Sequence, residues 1–562
     1  MERIRRIIGV ALQNGALAWG AVVLVWLIIV STLRNGISCD EGYYLLGYLR
    51  GQSVEGIGTD FHSLVRFLCG AFSDSDIMVF RYTRLFLNIV AIILFMVSSY
   101  EWLSRKKGLH VSRWAYYPLV VLAGAMSFTF AAPTLSYDSL EVIIILSAAS
   151  LLFVLLCTDK KKIAYLSSAG IGFLIWFACS NYPPAGVCIA ILLALFYVLE
   201  ARERSWTPIL FAVLGVLSAI VVSHFFVHNM KDWFSEMSKI FVSTFTEKSK
   251  SRHDGGSLIL TMLYTVGKEC LVFVPIVATS AFLYKKVRIS DRVSWAITIT
   301  VCAALIVFRE VYELRSTLLL IPVALLLGKV LAQNNQDIKK FLSSKEALLV
   351  LIMIAIPVAA VFGTNQPIMK KAIIYAPFWV LAFSYLSTKL EKESIFRLGL
   401  ILTTVLMAGY IWLGNFQRYH CYYTPRSSRY EIIGASRPQE VLVSQYQQEY
   451  YRDLLETLRS SGCKPGDKYM AFGENQMAVY LAGGYIDGRL PYHWWQYRVF
   501  EKEAPQAFIF FKSEEEGVIS HFKQAGWGFP DDYERIEMRQ MSQNMGEELR
   551  TVIYIKNHSL NR

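Results

Sequence analysis

The chain has 562 residues, 54% of them hydrophobic and 18% charged, with a mean hydropathy of +0.38. Soluble domains carry about 25% charged residues, so this composition excludes an ordinary soluble protein and puts most of the chain in lipid. The formal net charge of +12 does not argue for nucleic acid, because the basic residues are spread over the loops between apolar stretches, as membrane insertion requires.

A helix needs roughly 20 apolar residues to cross a hydrocarbon core of about 30 Å. Stretches of that kind recur up to Phe416. In chain order they fall near Ala16 to Leu33, Leu85 to Leu103, Trp114 to Ala132, Leu140 to Cys157, Ile163 to Ser180, Ala185 to Leu199 and Pro208 to Val227. They continue near Leu258 to Tyr284, Ser294 to Phe308, Thr317 to Ala332, Ala347 to Gly363, Ala372 to Leu386 and Leu398 to Gly414. The expectation is a polytopic α-helical membrane protein of about thirteen transmembrane helices over residues 1–414. The Arg-rich start resembles a signal peptide, but its apolar run is longer than a signal's hydrophobic region, so it reads as a retained first span.

Basic loops are held on the cytoplasmic side. With Arg3, Arg5 and Arg6 inside, Arg105 to Lys107, Lys160 to Lys162, Arg202 with Arg204, Lys285 with Lys286 and Arg288, Lys339 with Lys340, and Lys389 with Lys392 alternate as required. Lys370 and Lys371 break the alternation by falling outside. An odd number of crossings sends residues 415–562 to the outer side. Their short apolar runs at Val441 to Val443, Tyr469 to Phe472, Ala507 to Phe511 and Thr551 to Ile555 read as strands. Amphipathic segments at Tyr446 to Leu458, Gln476 to Leu481 and Glu514 to Gln524 read as helices, giving a C-terminal soluble α/β domain with no phosphate-binding glycine motif. The aromatic run Tyr492 to Tyr497 suits either sugar stacking or contact with a membrane surface.

The outer loops carry the chemistry-bearing residues. Cys39-Asp40-Glu41-Gly42-Tyr43-Tyr44 follows the first span directly. The loop continues with apolar-periodic segments at Tyr43 to Leu49 and Phe61 to Phe72, read as helices lying in the interface. Asp40 stands where the first would begin, so N-capping is the alternative to catalysis. Adjacent side chains on a helix point about 100° apart, so only one of Asp40 and Glu41 is expected to do chemistry. Asp138 occupies a similar helix start in the next outer loop, and Asn181-Tyr182-Pro183-Pro184 forms a rigid turn in the third. Arg81 and Arg84 enter the second span from outside, while Arg309, Glu310, Glu313 and Arg315 cluster between later spans. Lys268 and Glu269 lie inside an apolar stretch, where ions line a cavity or mark the true boundary. His62, His224, His228 and His253 fall on the outer side, and Asp74-Ser75-Asp76 offers either a metal clamp or a helix cap. Five of the nine cysteines sit in expected spans; Cys39, Cys69, Cys421 and Cys463 fall outside, where a Cys39–Cys69 bridge would tie the first loop.

In order and position these elements resemble the C-type superfamily of integral-membrane glycosyltransferases, especially the branch with protein O-mannosyltransferases and the lipid A aminoarabinose transferase. The resemblance runs over residues 1 to about 330. It rests on Asp40-Glu41-Gly42-Tyr43-Tyr44, Asp60-Phe61-His62-Ser63-Leu64, Arg81 or Arg84, Tyr137-Asp138, Asn181-Tyr182-Pro183, and Tyr312-Glu313-Leu314-Arg315 leading to Ile321-Pro322. It departs from the family where a proline commonly follows the loop histidine, a place held here by Ser63 and Leu64.

The resemblance implies transfer of a sugar from a polyprenyl-phosphate donor to a glycan, lipid or protein acceptor at the outer leaflet of a bacterial inner membrane, with inversion. The expected catalytic acids are Asp40 as base, with Glu41 and Asp138 holding the acceptor, the loop or an ion. Arg81, Arg84, Lys268 and Arg315 are the candidates for the donor phosphate, and His62 and Glu313 for acceptor or metal. No cofactor follows with certainty; a divalent metal ion is the one candidate. A transporter or lipid flippase is the competing class, disfavoured because the charged candidates gather at one face and no internal repeat is seen.

Overall fold

The computed structural model describes residues 15–37, 40–49, 53–54, 61–69, 76–130, 132–201, 206–227, 229–231, 233–235, 273–287, 315–332, 344–363, 368–389, 428–437, 440–486, 489–491, 493–494, 503–540 and 549–557, with scattered positions between 238 and 293 and between 403 and 409. Five helices among them are long and apolar enough to cross a membrane: Ile77–Lys106, Tyr137–Cys157, Lys161–Asn181, Pro183–Glu200 and Thr207–Val227. Ala16–Thr32 is apolar but spans 17 residues.

The expected count of thirteen is not supported. The stretch from Trp114 to Ala132 is interrupted, forming Arg113–Ala125 and then Ser127–Phe130. The stretch from Ala372 to Leu386 divides into Ile368–Ala372, a 3-10 turn at Ile373–Tyr375 and Pro377–Lys389. A proline has no N–H for the preceding turn and favours the first helical position, so Pro377 starts a helix rather than continuing one. The stretches near Leu258, Ser294 and Leu398 lie wholly or partly outside the described residues.

The chain divides into two compact units. The first comprises Met1–Ile28, Leu87–Thr129 and Tyr137–Trp412. Helix Lys161–Asn181 packs against Thr207–Val222, where glycine lets the backbones touch: a Cβ on Gly172 would strike the Ala212 carbonyl, and one on Gly215 the Ala169 carbonyl. Close approach of small residues is how helices associate in lipid, where burying apolar surface gives no gain between them. Leu210, Leu214, Leu217 and Val221 are exposed along the same helix, as a lipid-facing surface requires. A cavity of about 250 Å³ lies among these helices, lined by apolar residues including Leu152, Ile171, Leu193 and Val216, and none of the candidate acids or cations borders it.

The second unit comprises Ile29–Phe86, Phe130–Ser136 and Leu413–Arg562. Its strands are β1 (Ser53–Val54), β2 (Tyr430–Glu431), β3 (Leu442–Val443), β4 (Tyr469–Ala471), β5 (Arg489–Leu490), β6 (Ala507–Phe511), β7 (Tyr533–Gln540) and β8 (Arg550–Lys556). The main sheet runs β4-β6-β8-β7, with β4 parallel to β6 and the other pairs antiparallel. Phe508, Ile509 and Phe510 are fully buried on both faces of β6, the pattern of a central strand. Leu454, Leu455 and Leu458 of helix Gln445–Ser460 complete the core. The small sheet region expected from the sequence is present. Strand β7 was not foreseen, because half of its sequence YERIEMRQ is charged.

Residues that follow helix Ala16–Thr32 pair with the C-terminal part of this unit by backbone. The Gly36 N–H donates to the Leu442 carbonyl at 2.6 Å, the Leu442 N–H donates to the Arg34 carbonyl at 2.8 Å, and β1 lies parallel to β5. Helix Glu41–Tyr48 packs on helix Gln476–Ala482 so closely that a Cβ on Gly42 would meet the Met477 backbone. Only glycine fits there.

Candidate functional site

Within the second unit, Asp40 and Glu41 have different surroundings. Glu41 is completely buried and accepts hydrogen bonds from Arg81 Nε at 3.0 Å and Nη2 at 2.7 Å. Arg81, also fully buried, donates to the carbonyls of Leu33 at 2.7 Å and Gly36 at 2.6 Å. A buried ion pair repays its desolvation only when geometry is good and the remaining donors are used. Both conditions hold, so the pair pins the chain between the end of the first helix and the start of the Glu41–Tyr48 helix.

Asp40 sits on the turn so fixed. Its backbone is near φ −86° and ψ −2°, it is partly exposed, and its side chain makes no capping hydrogen bond to the helix it precedes. Capping therefore does not account for it. Of the two adjacent carboxylates, one is locked into the interior and the other stands at the edge.

Arg84 is fully buried as well, and its Nη1 donates to the Ala132 carbonyl. Asp76 caps the Ile77–Glu101 helix, its Oδ1 accepting from the Met78 N–H at 3.0 Å, which assigns the acidic triplet's described member to capping. His62 is 1% exposed and ringed by Tyr43 at 4.8 Å, Tyr48 at 5.7 Å and Phe61 at 3.8 Å between centroids. A Cβ on Gly47 would strike its ring. Burial, and secondarily the positive Arg66, hold the His62 imidazole well below its ordinary value and hence neutral. This packing places His62 in the core of the unit, with its Nε2 buried and without a hydrogen-bond partner among the described residues. Cys69 is a free, buried thiol, pushed up to about 11 by burial, so the expected bridge to Cys39 is not formed; Cys39 itself lies outside the described residues.

The first unit holds a separate polar cluster where helix Tyr137–Cys157 starts and helix Lys161–Asn181 ends. Asp138 Oδ1 lies 2.5 Å from Lys371 Nζ. The contact is an ion pair without hydrogen-bond alignment, and the ammonium sits over the rings of Tyr137 at 4.7 Å and Tyr182 at 5.1 Å. One turn further on, Glu141 is 1% exposed and its Oε2 accepts from Asn181 Nδ2 at 2.6 Å, while the same Nδ2 donates to the Tyr137 carbonyl at 2.9 Å. Glu141 Oε1 and Asn181 Oδ1 are buried and have no partner among the described residues.

Lys268, Glu313, Asp74, His228 and His253 lie outside the described residues, and Arg315 is the first residue of helix Arg315–Ala332. Among the described residues no group of three or more His, Cys, Asp or Glu side chains converges on a metal position. Sequence reasoning missed Glu141 and Lys371 as members of a cluster and gave Asn181 only a geometric role. Two signals existed: Glu141 is an acid inside an apolar run, and Lys371 breaks the alternation of basic loops. No family model matches the chain, and no curated protein matches it.

Proposed function

We propose that this chain is a membrane glycosyltransferase that moves a sugar from a polyprenyl-phosphate donor to a hydroxyl acceptor at the outer face of a bacterial inner membrane, with the C-terminal α/β region on the periplasmic side. The observation that carries the reading is the difference between Asp40 and Glu41: Glu41 is tied to Arg81 in the interior, while Asp40 is partly exposed at the start of the same helix and its side chain does not cap it.

A hydroxyl is a weak nucleophile, and a carboxylate within about 3 Å takes its proton as the oxygen forms the new bond to C1. The bond from C1 to the phosphate oxygen breaks at the same time, its electron pair leaving on the polyprenyl phosphate. Direct displacement inverts the anomeric centre. In this scheme Arg81 is a positioning residue, its donors committed to Glu41 and two carbonyls, which leaves Arg84 as the candidate cation of the same unit for the leaving phosphate. The remaining orders of magnitude come from aligning donor and acceptor. Incubating the purified full chain with lipid-linked sugars and a panel of acceptors, and measuring polyprenyl phosphate released, tests the proposal: release that depends on acceptor supports it, and movement of intact donor across a vesicle without release defeats it.

A further inference from the structure

We infer that the Glu141–Asn181–Lys371 cluster of the first unit is a binding site for a neutral carbohydrate, recognised through a pair of neighbouring hydroxyls. Three features of the cluster carry this.

Glu141 is oriented as a recognition group is oriented. One carboxylate oxygen, Oε2, is held by the Asn181 amide at 2.6 Å, and that amide is fixed in turn by the Tyr137 carbonyl. The other oxygen, Oε1, is buried with no donor among the described residues, and so is Asn181 Oδ1. Buried acceptors are costly to leave unmet, so two of them on mutually bonded side chains point to a ligand that brings two donors. Vicinal hydroxyls are such a ligand.

Lys371 supplies the complement. Its ammonium offers N–H groups that the Asp138 ion pair does not take up in hydrogen-bond geometry, and both Lys371 and Asp138 act electrostatically on Glu141. A sugar oxygen that donates to Glu141 has lone pairs to accept from Lys371. The Tyr137 and Tyr182 rings lie under the ammonium at 4.7 and 5.1 Å and fix its position by cation–π attraction. A metal ion or free cation is not favoured here, since Lys371 already stands as the positive partner of Asp138.

The choice of a carbohydrate over another diol rests on the glycosyl-transfer reading, but the site does not depend on turnover. The test uses the purified full chain in detergent and follows its thermal unfolding with a concentration series of neutral methyl glycosides of common hexoses and pentoses, with trimethylamine N-oxide, which has no hydroxyl, as the control for general osmolyte stabilisation. The expected result is a saturable rise of the midpoint with at least one glycoside, weakened about tenfold or more in apparent affinity in Glu141→Gln and in Asn181→Ser. A rise that does not saturate, or that is equal in wild type and both variants, overturns the inference and leaves a structural water as the occupant. If neither variant folds, saturation in the wild type and its loss with the matching deoxy-glycosides decide the matter. Polyprenyl phosphate release, measured on the same preparations, reports separately: glycoside binding through Glu141 without release retires the transferase reading alone, and release without such binding retires this one alone.

Discussion

Glu41 and Arg81, forty positions apart, meet in a two-point ion pair of 3.0 and 2.7 Å with both side chains wholly buried. The relationship separates stability from chemistry at neighbouring positions. Removing either partner leaves an uncompensated charge in the interior, a loss of about 3–5 kcal/mol. Glu41→Ala and Arg81→Met are expected to lower the unfolding midpoint sharply, whereas Asp40→Asn stays within about 0.5 kcal/mol of wild type. Thermal melts of the three purified variants check this; an Asp40→Asn loss as large as that of Glu41→Ala would assign Asp40 a structural role.

The neutral, buried His62 makes stability depend on pH. Its folded value lies well below the 6.5 of the free side chain, so the unfolded chain binds the proton first as pH falls. Stability is full above about pH 6.5 and declines below it, by up to about 1.4 kcal/mol per pH unit until the folded value is reached. Unfolding midpoints between pH 7.5 and 5, roughly the window set by that reference value, should fall for wild type and fall less steeply for His62→Gln. Parallel slopes would show that another group governs the acid limb.

At Gly42 the close approach to the Met477 backbone leaves no room for a side chain. Gly42→Ala is expected to cost about 1–3 kcal/mol by forcing the two helices apart, and to disturb the neighbouring Asp40 turn. Activity and melting point should therefore fall together; unchanged melting would mean the helices separate without cost.

The Asp138–Lys371 pair predicts non-additivity. Lys371→Met strands the Asp138 charge among apolar helices, a loss of about 3–5 kcal/mol, and Asp138→Asn in the same chain should restore much of it. A double variant as unstable as the sum of the singles would exclude the pairing. The ion pair also gives a physical reason for a misplaced basic residue: Lys371 falls on the outer side of the expected topology because it serves Asp138, which that topology also places outside.

What was legible in the sequence follows from how local each signal is. Helix Tyr137–Cys157 announces itself by the long apolar run that follows Glu141, and β6 by its aromatic and β-branched content. Among the described residues, hydropathy does not register the breaks at Met126 and Pro377, which divide two of the expected stretches. In each unit taken by itself, the sequence marked notable acids, Asp40 and Glu41 in one and Asp138 in the other, yet their partners are remote in sequence: Arg81 for Glu41 and Lys371 for Asp138, as is Asn181 for the unmarked Glu141. Side-chain pairing over such separations is a property of the packed fold and leaves no periodic trace. The burial of His62 among Tyr43, Tyr48 and Phe61 is of the same kind.

The central claim is that Asp40 takes the acceptor's proton, and the most direct measurement compares wild type with Asp40→Asn for acceptor-dependent release of polyprenyl phosphate at matched folding. The account predicts a fall of about a hundredfold to ten-thousandfold in turnover with an unchanged melting point. Turnover within a few-fold of wild type in the Asp40→Asn variant would contradict it.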